Sequence, residues 1–313
     1  MASIRPFESR ETAKMIELWN SALPLDGVSR DLFERKVLLD VNREPDSLVV
    51  AEENGRLAGF ALRLILHRPI ENVGTRPEDG FITAFGVHPD FRKKGVGEAL
   101  MQDSIKWFKE RKRKKILIAP YTPSYFVPGI DKDKYASGVK FFEKNGFREY
   151  IEAIAMDAPI SKFVLPEKVL EKEKKLRSEG VEIRPYQRDD LTAYLDFHSQ
   201  NMPGPWLEDA RRNLSDLTRG MYDEESIFIA LDQGKIIGFC QYEGSHFGPF
   251  GVVDGYQGRG VGSVLLARTL HTMRLKGYHC AWVLWTGMRA AQGVYGRLGF
   301  TITRKFAIMK KEL

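Results

Sequence analysis

Short blocks of this sequence occur twice, in the same order, and no other feature restricts the fold as much. Ile4-Arg5-Pro6-Phe7 returns 179 residues later as Ile183-Arg184-Pro185-Tyr186. Ala51-x-x-x-Gly55-Arg56-Leu57-x-Gly59-Phe60 returns at the same spacing as Ala230-x-x-x-Gly234-Lys235-Ile236-x-Gly238-Phe239. Phe85-Gly86-Val87 and Gly95-Val96-Gly97 return 165 residues on, as Phe250-Gly251-Val252 and Gly260-Val261-Gly262, and Asn145-Gly146-Phe147 matches Leu298-Gly299-Phe300 at 153. One block could recur by chance; an ordered series means two copies of one unit, the first with longer connections. The 313 residues divide accordingly into 1–160, a charged linker at 161–180, and 181–313. Each copy is long enough to bury a core of its own.

In copy one, Leu48 to Glu52 reads as a strand, Asn54-Gly55 as a tight hairpin turn, Leu57 to Leu66 as the returning strand and Phe81 to Val87 as the next. Gly95 to Glu110 reads as a helix with Val96, Leu100 and Trp107 on its buried stripe. Ser137 to Lys144 reads as another, stopped by Asn145-Gly146, and a last strand holds Ile151 to Ala155. An early helix is expected from Ser9, which is placed to cap it. Copy two repeats the series: a helix from Gly260 past Met273, a strand at Ala281 to Trp285, a helix from Ala290 to Leu298, and Ile302 to Met309 closing that copy's sheet. The expected class is α/β (α+β), each copy a mixed, largely antiparallel sheet flanked by helices. The linker is rich in helix formers, and only Val169, Leu170 and Leu176 offer apolar surface to dock it.

Composition narrows function less. The net charge of +6 suits an anionic ligand. The densest basic run, Lys109 to Lys115, ends a predicted helix, where cations offset the negative pole; no aromatic residue interrupts it, so nucleic acid is not the expected partner. Cys240 and Cys280 lie far apart and read as buried, reduced strand residues, so neither a disulfide framework nor a metal site is expected. No apolar run approaches the roughly 20 residues of a membrane helix. The opening residues lack the basic-then-apolar layout of a secretory signal, so the cytoplasm is the expected location.

Two segments carry the same chemistry: Arg92-Lys93-Lys94-Gly95-Val96-Gly97 and Gln257-Gly258-Arg259-Gly260-Val261-Gly262. Each follows a strand and opens a helix. The first amides of a helix have no partner inside it and lie at the positive end of its dipole, which suits a diphosphate. Glycines remove the side chains that would hold phosphates away. The spacing is neither that of the dinucleotide fingerprint nor that of a Walker loop.

Both segments resemble the [Gln/Arg]-x-x-Gly-x-[Gly/Ala] signature of the GNAT superfamily, the acetyl-CoA-dependent N-acyltransferases. Phe141 to Phe147 and Tyr295 to Phe300 resemble its later motif, an aromatic helix ending in Gly-Phe. The resemblance covers both copies and omits only the linker. It implies acetyl-CoA as cosubstrate and a primary amine, on a small molecule or a peptide, as acceptor that attacks the thioester directly. It implies cofactor contacts from both loops and from the strands before them, at Val87, His88, Val252 and Val253. It makes Tyr295, four residues before the Gly-Phe pair, the acid for the leaving thiolate; copy one has Phe142 there, so chemistry is expected in copy two. The carboxylate common in the family's preceding strand is absent, with Thr83 and Gly248 at those positions. His246, on the same strand face as Gly248, is the expected base, with Glu243 the second choice. A frequent family Asn is replaced by Tyr135 and Met288. The alternative function is a non-catalytic acyl-CoA sensor. The acceptor and the oligomeric state stay open, and the aromatic, Pro-rich segment Pro120 to Asp131 either lines an acceptor pocket or packs inside its domain.

Overall fold

The computed structural model describes residues 2–202 and 204–313. The chain forms two compact units, the first of residues 1–69, 74–153 and 305–313, the second of residues 70–73 and 154–304. In chain order the first unit carries β1 (Ser3–Pro6), α1 (Thr12–Ala22), α2 (Arg30–Phe33), β2 (Leu48–Glu53), β3 (Arg56–Leu64), β4 (Asp79–Val87), α3 (Val96–Glu110), β5 (Lys115–Ile118), β6 (Ile130–Asp131) and α4 (Ala136–Lys144). There follow β7 (Arg148–Pro159), α5 (Glu167–Ser178), β8 (Val181–Pro185), α6 (Leu191–Asn201), α7 (Pro205–Thr218), β9 (Ile227–Asp232), β10 (Lys235–Glu243), β11 (His246–Val252), α8 (Val261–Leu275), β12 (Cys280–Thr286), α9 (Met288–Ala290) and β13 (Thr301–Glu312). The mixed, mostly antiparallel sheets and flanking helices are as expected.

Local chemistry explains much of this order. Asn54 and Gly55 both take positive φ, 52° and 73°, which the two-residue hairpin turn between β2 and β3 requires; Gln233 and Gly234 do the same between β9 and β10. Gly146 ends α4 at φ 82°. Ser9 opens a short 3-10 turn ahead of α1 rather than capping the helix itself. The basic run beyond α3 is absorbed locally: Arg111 bonds Glu44 and Asp46, Lys114 bonds Glu78 and Lys115 pairs with Asp79. The segment after β5 packs inward: Tyr121 is fully buried with its hydroxyl on Asp40 (2.8 Å), and Phe126 lies against Trp19 (4.9 Å).

The last strand of each copy sits in the other copy's sheet. In the first unit β13 pairs antiparallel with β5, Met309 opposite Ile118 and Lys311 opposite Ile116, and also with β6. The first unit's sheet therefore runs β1-β2-β3-β4-β5-β13. In the second unit β7 pairs with β12, Ala281 opposite Ala158 and Val283 opposite Met156, so that sheet runs β7-β12-β11-β10-β9-β8. Of the stretch Ile302 to Met309, expected to close the sheet of copy two, the part from Lys305 on lies instead in the first unit and pairs there with β5 and β6. The unit boundary divides both strands, β7 after Ala153 and β13 after Arg304.

The second unit's core gathers α8, the tail of β7 and the linker helix α5, which docks through Val169 and Leu176 while Leu170 stays exposed. Cys240 is buried as expected; Cys280, the first residue of β12, is exposed because it lies on the outward face of that strand. The helix expected at Ala290 to Leu298 is present, running without a break from Met288 to Arg297 with a π turn at Ala291–Tyr295.

A second apolar layer of this unit packs α6 and α7 on β9 and β10 around His198. His198 occupies the place that Trp19 takes in copy one: Trp19 stacks on Phe60 (4.8 Å), and His198 meets the matching Phe239 (4.4 Å). Its Nδ1–H donates to the Tyr194 carbonyl (2.9 Å), and its ring is fully buried. Burial holds its pKa at about 4, against an ordinary 6.5. Between those values the unfolded chain binds a proton that the folded chain refuses, so stability is complete above about pH 6.5 and falls as pH drops towards about 4. The expected loss is on the order of 2–3 kcal/mol. It should show as a lower urea midpoint for the second unit at pH 5 than at pH 7.5, and the part due to His198 should vanish in His198→Phe; an equal drop in that variant would contradict it.

Candidate functional site

In each unit two parallel strands begin side by side and then part. β4 and β5 are paired only from Asp79–Lys115 to Ile82–Ile118. Beyond them Phe85, Gly86 and Val87 keep their partners on β3 and have none on the β5 side. In the second unit β11 and β12 meet only at His246–Trp282, while Phe250, Gly251 and Val252 stay paired with β10. The result in both is a wedge, open on one side to the backbone of a strand that leads straight into a helix.

At the mouth of each wedge lies one of the two Gly-rich loops, and the two loops match in backbone course. After β4 come His88 and a 3-10 turn, Pro89–Phe91; after β11 come Val253 and a 3-10 turn, Asp254–Tyr256. Lys93 and Gly258 both take positive φ, 60° and 80°. Gly95 and Gly260, at φ 85° and 98°, cap α3 and α8. Lys94 lies over Phe91 (5.6 Å) and Arg259 over Tyr256 (5.1 Å). Val96 and Val261 turn inward and are buried, anchoring the first helical turn. Among the described residues no protein acceptor takes the amides of Gly95, Val96 and Gly97, or those of Gly260, Val261 and Gly262. Free amides at the positive pole of a 15-residue helix fit a diphosphate.

The first motif position does other work than its charge suggested. Arg92 folds back to donate to the Val87 and Ala22 carbonyls (both 3.1 Å), and Gln257 folds back onto the Val252 carbonyl (3.3 Å). Arginine and glutamine are interchangeable here because both can donate to the last carbonyl of the strand.

The aromatic motif also matches. Phe142 packs against Phe85 (5.5 Å) and Phe147 (5.3 Å); Tyr295 packs against Phe250 (6.2 Å) and Phe300 (5.3 Å), with Phe247 at 5.9 Å. The cages share two matching rings and differ in the third, Phe141 beside Phe142 and Phe247 beside Tyr295, and at the centre by one hydroxyl. Tyr295 is 5% exposed, and burial raises its pKa well above 10, with Thr286 opposing through a hydrogen bond. It therefore holds its proton at any physiological pH. His246 starts β11, opposite Glu243 across the β10–β11 hairpin, with its ring 4.3 Å from Trp282. Strand alternation turns it to the face opposite Phe247. Tyr295 and His246 thus flank β11 from different sides. Trp282 is 37% exposed. Tyr135 accepts a hydrogen bond from the amide of Leu25 (3.0 Å), and Met288 is exposed. Thr83 is buried with an unpartnered hydroxyl.

The pattern of the Acetyltransferase (GNAT) family matches residues 12–147 and 191–300, both copies. The chain belongs to that family. Among solved structures it resembles a GCN5-related glucosamine N-acetyltransferase region of a fungal multi-domain β-N-acetylglucosaminidase, with TM-score 0.82 and 17% identity over 99% of this chain. It spans 38% of that protein. A GCN5-related N-acetyltransferase from Sphaerobacter thermophilus gives TM-score 0.71 and 19% identity over 99% of this chain and 95% of its own. A tandem GNAT protein of the clavulanic acid biosynthesis pathway gives 0.62 and 12% over 100% and 98%. At such identities these likenesses speak for the fold, a tandem GNAT fold. No curated protein matches the sequence. Among the described residues no cluster of His, Cys, Asp and Glu could hold a metal ion, and no helix is long and apolar enough to cross a membrane.

One feature escaped sequence reading. The linker helix α5, expected at most to dock through Val169, Leu170 and Leu176, reaches the loop of this GNAT chain's second copy. A methyl group added at Gly260 would lie 3.3 Å from Cδ of Lys172, and Arg259 pairs with Glu179 (2.9 Å).

Proposed function

We propose that this GNAT chain is an N-acetyltransferase that moves an acetyl group from acetyl-CoA to a primary amine, with the chemistry in copy two. The observation that carries the assignment is the hydroxyl that Tyr295 has and Phe142, at the matching place, lacks. The loop amides of Gly260, Val261 and Gly262 would take the diphosphate, and the open edge of β11 at Phe250 to Val253 the pantetheine arm. Backbone donors on that edge would oppose the charge that builds on the thioester oxygen. The amine nitrogen attacks the acetyl carbon, the new C–N bond forms and the C–S bond breaks. The ammonium proton leaves towards His246, by way of water since His246 lies across β11, and Tyr295 gives its proton to the departing sulfur. Copy one keeps the loop at Arg92 to Gly97 without an acid, and we assign it binding without turnover.

The direct test is calorimetry with acetyl-CoA, followed by thiol release in the presence of a panel of primary amines. The expected result is saturable binding and amine-dependent release of CoA. Saturable binding with no transfer to any amine would favour a sensor of acyl-CoA, and absence of binding would overturn the reading altogether.

A further inference from the structure

The two loops are alike in backbone and unlike in charge. Copy one presents Arg92, Lys93 and Lys94; copy two presents Gln257, Gly258 and Arg259 at the same positions. The one cation of the second loop is already engaged by a carboxylate, Glu179, at 2.9 Å. A loop that is to hold a diphosphate is thus short of positive charge where the chemistry is assigned.

The helix that Glu179 caps supplies a replacement. α5 is fixed on α8: Val169 and Leu176 are buried in the shared core, and the carboxylate of Glu173 takes both Nε and Nη2 of Arg268, the former at 3.0 Å. One turn before the Leu176 anchor, the aliphatic stem of Lys172 lies across Gly260, with Cδ, Cγ and Cβ at 3.3, 3.8 and 3.9 Å from the place a Cβ would occupy. Packing the stem against a surface while the charged end stays in water is how lysine delivers a cation to a fixed spot. Among the described residues no carboxylate pairs with that ammonium. Glycine suits this position by its φ of 98°, and its bare Cα leaves room for the lysine stem to lie close.

We propose that Lys172 of the linker helix is a phosphate-binding residue of the second copy's site, supplying the charge that the loop itself gave up. The proposal rests on the reading that copy two binds acetyl-CoA. It makes the linker part of the site, and it predicts that the site is incomplete without residues 167–178.

The test uses the whole chain with Lys172→Ala, Lys172→Arg and Lys172→Glu. Lys172 is exposed, so the melting temperature should not move. The KM for acetyl-CoA should rise about five- to tenfold in Lys172→Ala at low salt, and more in Lys172→Glu, with kcat within a factor of two. The difference from wild type should shrink as salt screens the charge, and Lys172→Arg should restore most of the affinity. A calorimetric titration with CoA should show the same ranking without turnover. Unchanged or tighter binding in Lys172→Ala would mean that the stem only covers the loop, and this inference would fail while the acetyltransferase reading stood. Failure of wild-type protein to bind CoA would sink both.

Discussion

Removing residues 305–313 is expected to unfold the unit that begins at the other end of the chain. Those residues carry the part of β13 that pairs with β5, and with them go Phe306, Ala307, Ile308 and Met309, all fully buried. Burying a large apolar side chain is worth about 1.5–3 kcal/mol. The three large ones together approach the roughly 5–15 kcal/mol that holds a whole domain folded. The truncation also strips the outer edge of β5, leaving buried backbone without partners. Trp19 and Trp107, 1% and 3% exposed in the first unit, report the change: emission should shift to the red and amide protection should vanish over β2 to β5. The second unit should keep its protection. A truncated chain with β2 to β5 still protected would refute the exchange of strands. A fragment ending at residue 160 should behave like the truncation, although by sequence order it is a complete first copy.

Tyr295→Phe should lower kcat for amine acetylation by about 100-fold, within the usual range for loss of a general acid. Few substitutions at a buried site are so clean. The ring's contacts with Phe247, Phe250 and Phe300 survive, and the first unit already shows a phenylalanine at home in the matching cage, as Phe142 between Phe85 and Phe147. Stability should therefore stay within about 1 kcal/mol of wild type, and the KM for acetyl-CoA should hardly change. Because burial raises the pKa of this phenol, no fall in rate from its ionisation should appear below pH 10. Turnover that survives Tyr295→Phe but is lost on disrupting Gly95 and Gly97 would move the chemistry to copy one.

What the sequence made legible was whatever is decided within a few residues. The turns at Asn54-Gly55 and Gln233-Gly234, the glycine stop at Gly146 and the two loops at Gly95 and Gly260 all rest on local backbone demands. The repeat then supplied the architecture, since equal spacing implies equal folds. Pairing partners were not legible. The pattern of Ile302 to Met309 says that it is a buried strand, and Ile118 and any strand of copy two would have accepted it equally well. Nor was the exposure of Cys280 or Trp282 readable, because apolar strand residues reveal their face only once the neighbours are known. In the site, the hydroxyl that separates Tyr295 from Phe142 could be seen in the sequence. The retreat of Arg92 and Gln257 onto strand carbonyls could not, for a motif position gives a residue type and not a direction. The contact of Lys172 with Gly260 joins residues 88 apart, beyond the reach of any local pattern.

The crossing of β7 and β13 also orders the birth of the molecule in time. Domains usually mature on the ribosome from the amino end onward. Here the half made first lacks the partner of β5 until copy two has been synthesised, because β13, the strand that flanks β5, follows copy two in the chain. Nascent copy one must wait with an open sheet edge, the kind of surface that invites pairing with strangers. Slow synthesis or a premature stop would therefore harm the amino-terminal half more than the half being completed.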